Sequence, residues 1–513
     1  MSVRSIEGIY IYRGVEAISG KLARLSASDA VGIVAGTAVA YYLLQTFICD
    51  PLHNFPGPFG AKLSRIYESK VRASGKEYLI TEGLHQKYGN VVRIGHNTLS
   101  IKDPEAIRQI YMSDRFVKSP FYKALTFDRV HQLTSTADPE EHARFRKIMA
   151  PGFSQARLDE LEDVIMNSGV EAFLKKLESQ YADKDVVCNL FTEFHCLALD
   201  ILGELAYGKS FNMIQSQSHP FTKWLRQRQT LIPLCSTYPS INDHPWLLKM
   251  LFPTGYRSFM RIRKFGDDCL VDSAKNKTNT RRDFTQILRK AMKNCDPNQH
   301  MSPTECSLAC FMLIVAGTDT TSNSLCFTLY LLAKHPEVKD RLFNDLVRLM
   351  PDSQAVLKYK DIRKQALPYL WAIIMEATRM FPAVPGGLPR VCPASGETIA
   401  NRYIPGGTIV QVPTWSIHHD ASIFPEPFTF MPDRWLQLES NELAKYHLAF
   451  SLGPRMCAGK NLGMMEMTLT LCHLLRRYDV RLSNPEEKMD LLQTFVAKPA
   501  SMTTNVYISK RQK

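Results

Sequence analysis

The sequence lacks the motifs that would make it a nucleic-acid or zinc protein. It has no CxxC pair or Cys/His array with zinc-ligand spacing, and no aromatic motif of the kind that binds RNA bases. Its 63 Lys and Arg residues outnumber 50 Asp and Glu, giving a net charge of +13, but they form no dense basic block. These absences exclude nucleic acid as the expected partner and leave a basic surface that would suit an acidic protein or anionic lipid.

The chain also shows no linker, repeat or low-complexity tract after about residue 61, so residues 61–513 are predicted to form one large domain. A hydrophobic content of 45% supports a substantial core. The 12 cysteines are irregularly spaced, and Cys306, Cys310 and Cys326 lie in one apolar helical segment, where thiols behave as small buried hydrophobes. We therefore expect reduced cysteines on the cytosolic side of a membrane.

Residues 30–49, AVGIVAGTAVAYYLLQTFIC, contain no charged side chain. A helix of about 20 apolar residues spans the hydrocarbon layer of a bilayer, so this segment is predicted to be a single membrane anchor. Its glycines, threonines and Gln45 make it only moderately apolar, and a buried core helix is the alternative. Residues 1–29 form a separate N-terminal segment, and the prolines of residues 50–60 predict a stiff, extended hinge after the anchor.

The large domain is predicted to be mainly α-helical with a minor β portion. Two short strands, NVVRIG and TLSIKD, show alternating apolar residues and precede a helix that Asp103 caps and Pro104 begins. Strand patterns return only after Pro382. The longest helical run covers about residues 303–335 and stops before Pro336.

The motif AGTDTT, residues 316–321, has an unusual composition for the middle of this long apolar helix. Gly317 and the threonines are weak helix formers, and Thr320 can bond back to the carbonyl of Ala316, which bends or opens a helix. The helix is apolar nearly all round, which argues against a simple outward polar face. The pattern therefore predicts a notch that carries the hydroxyl of Thr320 and the carboxylate of Asp319.

A second polar motif lies in PYLWAIIMEATRMFP. Glu376 and Arg379 are three residues apart, so they share one helical face and can pair. The surrounding residues are apolar, which predicts a buried pair, and a buried pair needs further hydrogen-bonding partners. Arg434, in FMPDRW, is the candidate third member.

A single cysteine, Cys457, lies between glycines in FSLGPRMCAGKNLGMMEM near the C-terminus. A lone thiol can be a nucleophile, a redox sensor, a metal ligand or core filler. A nucleophile needs a histidine base and a sensor needs a resolving cysteine, and the sequence places neither beside it. A single metal-ligating thiolate suits haem, because the porphyrin supplies four nitrogens. Gly453 and Gly459 would let the backbone come close to such a flat group.

FSLGPRMCAG matches the pattern FxxGxRxCxG at Phe450, Gly453, Arg455, Cys457 and Gly459. This pattern resembles the haem-ligand loop of the cytochrome P-450 family. AGTDTT resembles the family's oxygen-side helix motif, EATR its ExxR pair and FMPDRW its PxRW-type element, all in family order and spacing. The resemblance covers the whole chain, and the N-terminal apolar segment with its proline-rich sequel is similar to that of microsomal members. Fungal secondary-metabolism monooxygenases are the most similar in overall character.

On the cysteine side, the resemblance implies that Cys457 is the axial thiolate of haem b and that Phe450 shields its sulfur. Guanidinium groups match carboxylate geometry, so the haem propionates are expected to meet arginines. The segment HARFRKIMAPGFS resembles the family's propionate-binding helix, with a histidine where many members have tryptophan. The residues expected at the propionates are Arg146, Arg390, Arg455 and His142.

On the opposite side, the resemblance implies that Ala316 and Gly317 leave room for O2, while Thr320 and Asp319 deliver protons. Glu376, Arg379 and Arg434 would form a structural network without a chemical role. The expected reaction is insertion of one oxygen atom of O2 into a hydrophobic small molecule. Substrate contacts are expected from the apolar stretches 121–132, 309–316, 383–388 and 494–500.

Electrons must come from another protein, because the chain has neither a flavin domain nor a GxGxxG after a strand. The resemblance implies an NADPH-dependent cytochrome P-450 reductase as the partner. It also implies membrane lipid around the anchor and a location at the endoplasmic reticulum membrane, with the catalytic domain in the cytoplasm.

Two alternative functions stay open. One is a haem-thiolate isomerase or dehydratase that needs no reductase, and the other is a non-catalytic membrane-tethered binding protein.

Overall fold

The computed structural model describes residues 26–126, 130–275 and 284–511. Residues 1–25 of the predicted N-terminal segment and residues 127–129 of one predicted substrate stretch lie outside this part of the chain.

The described α-helices are α1 (Ala27–Phe47), α2 (Phe59–Leu63), α3 (Arg65–Ala73), α4 (Glu77–Tyr88), α5 (Pro104–Tyr111), α6 (Pro139–Met149), α7 (Gln155–Ile165), α8 (Glu171–Gln180), α9 (Leu190–Tyr207), α10 (Met213–Ser216), α11 (Pro220–Gln229), α12 (Ile232–Thr237), α13 (Pro245–Leu251), α14 (Pro253–Lys275), α15 (Phe284–Met292), α16 (Pro303–Lys334), α17 (Pro336–Leu349), α18 (Pro368–Met380), α19 (Thr414–His418), α20 (Ser440–Ala444) and α21 (Lys460–Arg477). Single 3-10 turns occur at Pro120–Leu125, Ala150–Phe153, Pro239–Asp243, Tyr359–Asp361, Pro432–Trp435 and Gly453–Arg455, and a π-helical turn at Met166–Val170.

The described strands are β1 (Val91–Gly95), β2 (Thr98–Ile101), β3 (Val117–Lys118), β4 (Cys188–Asn189), β5 (Arg390–Val391), β6 (Glu397–Ile399), β7 (Arg402–Ile404), β8 (Ile409–Gln411), β9 (Tyr478–Leu482), β10 (Leu491–Gln493), β11 (Ala497–Pro499) and β12 (Asn505–Lys510). They form a five-stranded sheet in the order β1-β2-β8-β5-β3, a three-stranded sheet β4-β12-β9, and two hairpins. The predicted class, mainly α with a minor β portion, is confirmed. The prediction of strands only after Pro382 missed β3 and β4, because two-residue strands carry no alternation to detect.

The predicted starts and ends of two helices agree with the structure, because capping residues and prolines mark them. Asp103 accepts hydrogen bonds from the backbone amides of Glu105 and Ala106, and Pro104 is the first residue of α5. In α16, Ser302 and Glu305 form a capping box at the start, and the helix ends at Lys334 before Pro336. This helix runs through the middle of the main core and packs against α9, α14, α18 and α21.

The N-terminal region differs from the prediction. Residues 27–47 form α1, but no helix in the described ranges is long and apolar enough to cross a membrane. The prediction of a membrane-spanning anchor at 30–49 is therefore not supported, because small and polar residues dilute the apolar ones in this segment.

The predicted extended hinge is also not a free spacer. Residues 51–54 form turns, and Leu52 and Phe55 are buried in the core beside the five-stranded sheet. The backbone amide of Arg93 in β1 donates to the Pro56 carbonyl at 2.7 Å. A Cβ at position 57 would lie 2.3 Å from the Arg93 carbonyl oxygen, so Gly57 is needed for this close contact.

Candidate active site around Cys457

The cysteine loop joins the last 3-10 turn to α21. The Cys457 amide donates to the Phe450 carbonyl at 2.9 Å, and the Met456 amide donates to the Gly453 carbonyl at 3.0 Å. Together they close a tight loop that fixes the backbone direction at Cys457. Gly453 has a φ of +71°, and a Cβ there would lie 2.3 Å from the Tyr111 carbonyl oxygen. Only glycine fits this position without strain.

Gly459 is less constrained than its place in the motif suggests. A Cβ there would meet only ordinary contacts, 3.7 Å from Phe153 and 4.0 Å from the Cys457 sulfur. Its backbone amide matters more, because it bonds to the Cys457 thiol. Within the protein, the close backbone contact that requires glycine is therefore found at Gly453, against Tyr111.

The Cys457 thiol lies deep in the protein yet remains accessible. Burial raises its pKa, while the Gly459 amide and the positive charges of Arg146 and Lys460 act in the opposite direction. These amide and cationic groups stabilise a thiolate, which is the form that binds a metal. The other cysteines are also free, and most of them are buried.

Across from the loop, α16 carries the motif for which a notch was predicted. The Thr320 hydroxyl donates to the Ala316 carbonyl at 2.7 Å, as predicted, and the helix continues without interruption from Pro303 to Lys334. Ala316 is accessible although the helix around it is largely buried. Gly317 points the other way, because a Cβ there would lie 2.8 Å from Leu202 of α9. Its missing side chain allows α9 and α16 to pack closely.

The two sides of the site are joined by direct packing. A Cβ at Gly463 in α21 would lie 3.7 Å from the Thr321 hydroxyl of α16 and 3.9 Å from the Phe450 ring. The start of α21, the cysteine loop and the notch thus meet at one place in the core.

Beside this place lies a group of basic side chains, which we call the cation cluster: Lys118, Arg390 and His142 are buried, and Arg146 and Arg455 are partly buried. Lys118 on β3 and Arg390 on β5 are direct partners across the antiparallel ladder. Both are buried. Like charges directly opposite each other destabilise a sheet, and burial makes the repulsion stronger. The fold therefore holds two cations where they repel each other.

The recorded partners of these cations are neutral oxygens. Lys118 Nζ donates to the Leu133 and Thr134 carbonyls at 3.0 and 2.7 Å. Arg390 Nη1 donates to the Tyr122 hydroxyl at 3.0 Å. Among the residues that the structure describes, none of Lys118, Arg146, Arg390 and Arg455 forms an ion pair; Arg146 donates to the Met456 carbonyl and Arg455 to that of Thr136.

The titration of the cluster shows the same imbalance. Burial lowers the pKa of Lys118 well below its ordinary value, and Arg390 and Arg455 lower it further. Burial and the same cations, with Lys118 and Arg146, lower the pKa of His142 to about 3. The site thus carries positive charge that a bound carboxylate group would balance.

The residues present fit haem. One accessible thiol with thiolate-stabilising amide and cationic neighbours provides a single axial ligand, and the adjacent unbalanced cations suit the two propionates. Sequence reasoning named the three arginines and His142 but missed Lys118. Lys118 belongs to no recognised motif, and only its position opposite Arg390 in the strand register identifies it.

The predicted pair of Glu376 and Arg379 belongs to a complete buried network around Glu376. Its carboxylate accepts from Arg379 Nε and Nη2 at 2.9 Å each, from Arg434 Nε at 3.0 Å and from Trp435 Nε1 at 2.8 Å. The Met431 amide donates to it at 3.1 Å. Burial opposes ionisation of Glu376, but these partners outweigh it and lower its pKa. Trp435 and the Met431 amide were not expected from the sequence.

Two of the predicted substrate stretches come together. Phe121 and Phe495 lie with ring centroids 5.7 Å apart. The face of Phe121 is also covered by the guanidinium of Arg72, 4.9 Å from its centroid. Residues far apart in the chain thus share one apolar surface near the β10–β11 hairpin.

Comparison with known proteins agrees with this geometry. A family model described as Cytochrome P450 matches residues 66–506. The chain is 30% identical to cytochrome P450 monooxygenase BOT4 of Botryotinia fuckeliana over 93% of this chain and 89% of that protein. It is 29% identical to pisatin demethylase of Fusarium vanettenii, covering 92% of each. The cytochrome P450DA heme domain superposes with a TM-score of 0.76 at 19% identity, covering 89% of this chain and 98% of that one, which shows the fold.

The chain therefore belongs to the cytochrome P450 family and is a monooxygenase of the fungal secondary-metabolism type, an oxidoreductase.

Proposed function

We propose that this monooxygenase binds haem b through Cys457 and oxidises a hydrophobic small molecule, using electrons that a separate reductase takes from NADPH. The observation that carries the proposal is the cation cluster beside an accessible thiol. Lys118 and Arg390 are buried opposite each other without an ion pair among the described residues, and the two propionates of haem would balance their charge next to the thiolate ligand.

When bound, haem supplies the redox chemistry that activates O2 and transfers one oxygen atom to a C–H bond. The chain's own residues bind, orient and supply protons. Cys457 Sγ would hold the iron, with the Gly459 amide and the charges of Arg146 and Lys460 stabilising its negative charge. The cation cluster would hold the propionates and fix the orientation of the ring.

On the other side, Thr320 presents its hydroxyl at the notch, and its bond to the Ala316 carbonyl sets the direction of that hydroxyl. Asp319 precedes it on α16 and holds a carboxylate that can exchange a proton with Thr320 through water. Ala316 is accessible, and its small side chain would leave space next to the Thr320 hydroxyl that a larger side chain would fill.

The substrate class is proposed from the apolar stretches and from the relatives. Phe121 and Phe495 present apolar surface, which favours a lipophilic ligand over a charged one. The relative from Fusarium vanettenii is named pisatin demethylase, so pisatin belongs in the first panel of test compounds. Participation in secondary-metabolite biosynthesis is part of the proposal.

The net charge of +13 supports a reductase with an acidic docking surface. We also propose that the protein works at the endoplasmic reticulum membrane with its body in the cytoplasm. All 12 cysteines are free, which supports a reducing compartment. Fractionation of cells that express the tagged chain would test this location.

The decisive test uses purified, haem-loaded protein. After reduction and addition of carbon monoxide, thiolate ligation should give a strongly red-shifted Soret band, and Cys457→Ser should lose it together with oxygenation. Cys472→Ser is the matched control, since that thiol is buried in α21 away from the cysteine loop. Normal oxygenation by Cys457→Ser would refute the ligand assignment.

A further inference from the structure

One side chain beside the notch has no part in the function described above. His195 of α9 places its Nε2 atom 3.3 Å from Asp319 Oδ1 and 3.3 Å from Ser322 Oγ. The side chains of His195 and Asp319 are 22% and 23% exposed, so water can reach both of them. The histidine thus brings a solvent-accessible imidazole into contact with the carboxylate that precedes Thr320.

The hydrogen bonds around the imidazole indicate where its protons lie. His195 Nδ1 lies 2.8 Å from the Phe191 carbonyl, which can only accept, so Nδ1 donates. The single proton of the Ser322 hydroxyl is donated to the Thr318 carbonyl at 2.7 Å. Nε2 therefore faces two acceptor oxygens, and both are satisfied when it also carries a proton. A protonated Nε2 pointed at a carboxylate is a proton donor.

Other elements hold Asp319 against this donor. The Asn323 side-chain amide donates to the Ala497 carbonyl at 2.9 Å, which ties β11 to α16 and brings Lys498 near the carboxylate. Burial lowers the pKa of Lys498, Asp319 raises it, and Arg226 of α11 lowers it. Lys498 therefore lies within electrostatic reach of Asp319, and Arg226 lies within reach of Lys498.

We propose that His195 passes protons from water to Asp319; this inference rests on the proposed oxygenase function and deepens it. The Nε2–H bond breaks, the proton binds Asp319 Oδ1, and the neutral imidazole takes a new proton from solvent. Asp319 then releases its proton towards Thr320, and no electrons move in these steps. His195 is a positioning residue, because it acts through Asp319 and does not touch the reacting atoms.

The test uses the full-length haem-loaded protein with an NADPH-dependent cytochrome P450 reductase, in H2O and in D2O. NADPH oxidation, O2 uptake and H2O2 release are measured together. His195→Gln keeps an N–H near the position of Nε2 but cannot pass a proton. We expect O2 turnover to fall by about tenfold or more, with more peroxide per NADPH and a larger solvent isotope effect.

Two further variants calibrate the result. Thr320→Ala should raise peroxide release, which shows that the assay detects faulty proton delivery. His335→Gln should match the wild type, since that histidine also lies beside a carboxylate, Glu337, but at the far end of α16. The red-shifted carbon monoxide band must persist in His195→Gln, which separates proton delivery from loss of the haem site.

A His195→Gln variant with wild-type turnover, peroxide yield and isotope effect would overturn the proposal. Failure of the proposed function would look different, because the wild-type protein itself would then consume no O2 in the presence of NADPH and reductase.

Discussion

The molecule contains two buried polar clusters of opposite character. Around Glu376, a carboxylate meets two guanidinium groups, an indole and a backbone amide, and its acceptor sites are used within the protein. In the cation cluster, Lys118 and Arg390 lie opposite each other without an ion pair among the described residues. Burial of charge is tolerated when partners balance it. The difference teaches that the first cluster supports the fold, while the second is prepared for an external anion.

Glu376→Gln should have the largest effect on stability. It removes the negative charge between Arg379 and Arg434 and leaves two buried cations, at a cost of about 3–5 kcal/mol. The free energy of unfolding, measured with urea, should fall by this amount with and without haem. A loss confined to the haem-loaded form would contradict a purely structural role.

Protonation of His447, which lies beside the same network, should also lower the stability of the fold. His447 stacks edge-on against Trp435, and burial lowers its pKa from 6.5 to about 4. Between these pH values the unfolded chain binds a proton that the folded chain does not, so stability is complete above about 6.5 and falls towards pH 4, by about 3 kcal/mol in total.

His447→Phe should remove this part of the pH dependence. The measurement is the difference in unfolding free energy between wild type and variant across that pH range. His142 also titrates with a depressed pKa, but it is present in both proteins and cancels in the difference. Parallel pH profiles would show that His447 is not responsible.

Lys118→Met should show that the cation cluster, unlike the Glu376 network, matters for haem binding and little for the stability of the haem-free protein. Without haem, stability should change little, because the variant loses two hydrogen bonds to carbonyls but also a buried, repelled charge. With haem, a charge-assisted contact is lost, and transfer of haem to apomyoglobin should be about tenfold faster. Equal destabilisation with and without haem would make the cluster structural, like that of Glu376.

The smallest effect is expected from an exposed pair. Glu442→Gln breaks the contact of Glu442 with Lys445, whose side chains are 69% and 61% exposed. Water screens such a pair, so the free energy of unfolding should change by less than about 0.5 kcal/mol. A loss approaching that of Glu376→Gln would mean that burial is not what separates the strong pairs from the weak ones.

Much of the fold and site could be predicted where the information is local. The long apolar run that stops at Pro336 predicted α16, and the three-residue spacing predicted the pair of Glu376 and Arg379. The predicted membrane anchor is not supported by any helix in the described ranges, and the composition of the proline-rich segment after it does not show that the segment packs against the core. Leu52 and Phe55 are core residues, although their proline-rich sequence is typical of a spacer.

The cysteine loop, the hydrogen bond of Thr320 to Ala316 in α16 and the ExxR pair were determined by the sequence itself, because hydrogen bonds and helical spacing act over a few residues. The tertiary structure alone decided that Lys118 lies opposite Arg390 and that His195 reaches Asp319. These partners lie far apart in the chain, and their distances are set by strand register and by the packing of α9 on α16. Such contacts follow from burying the whole core, which no short segment encodes.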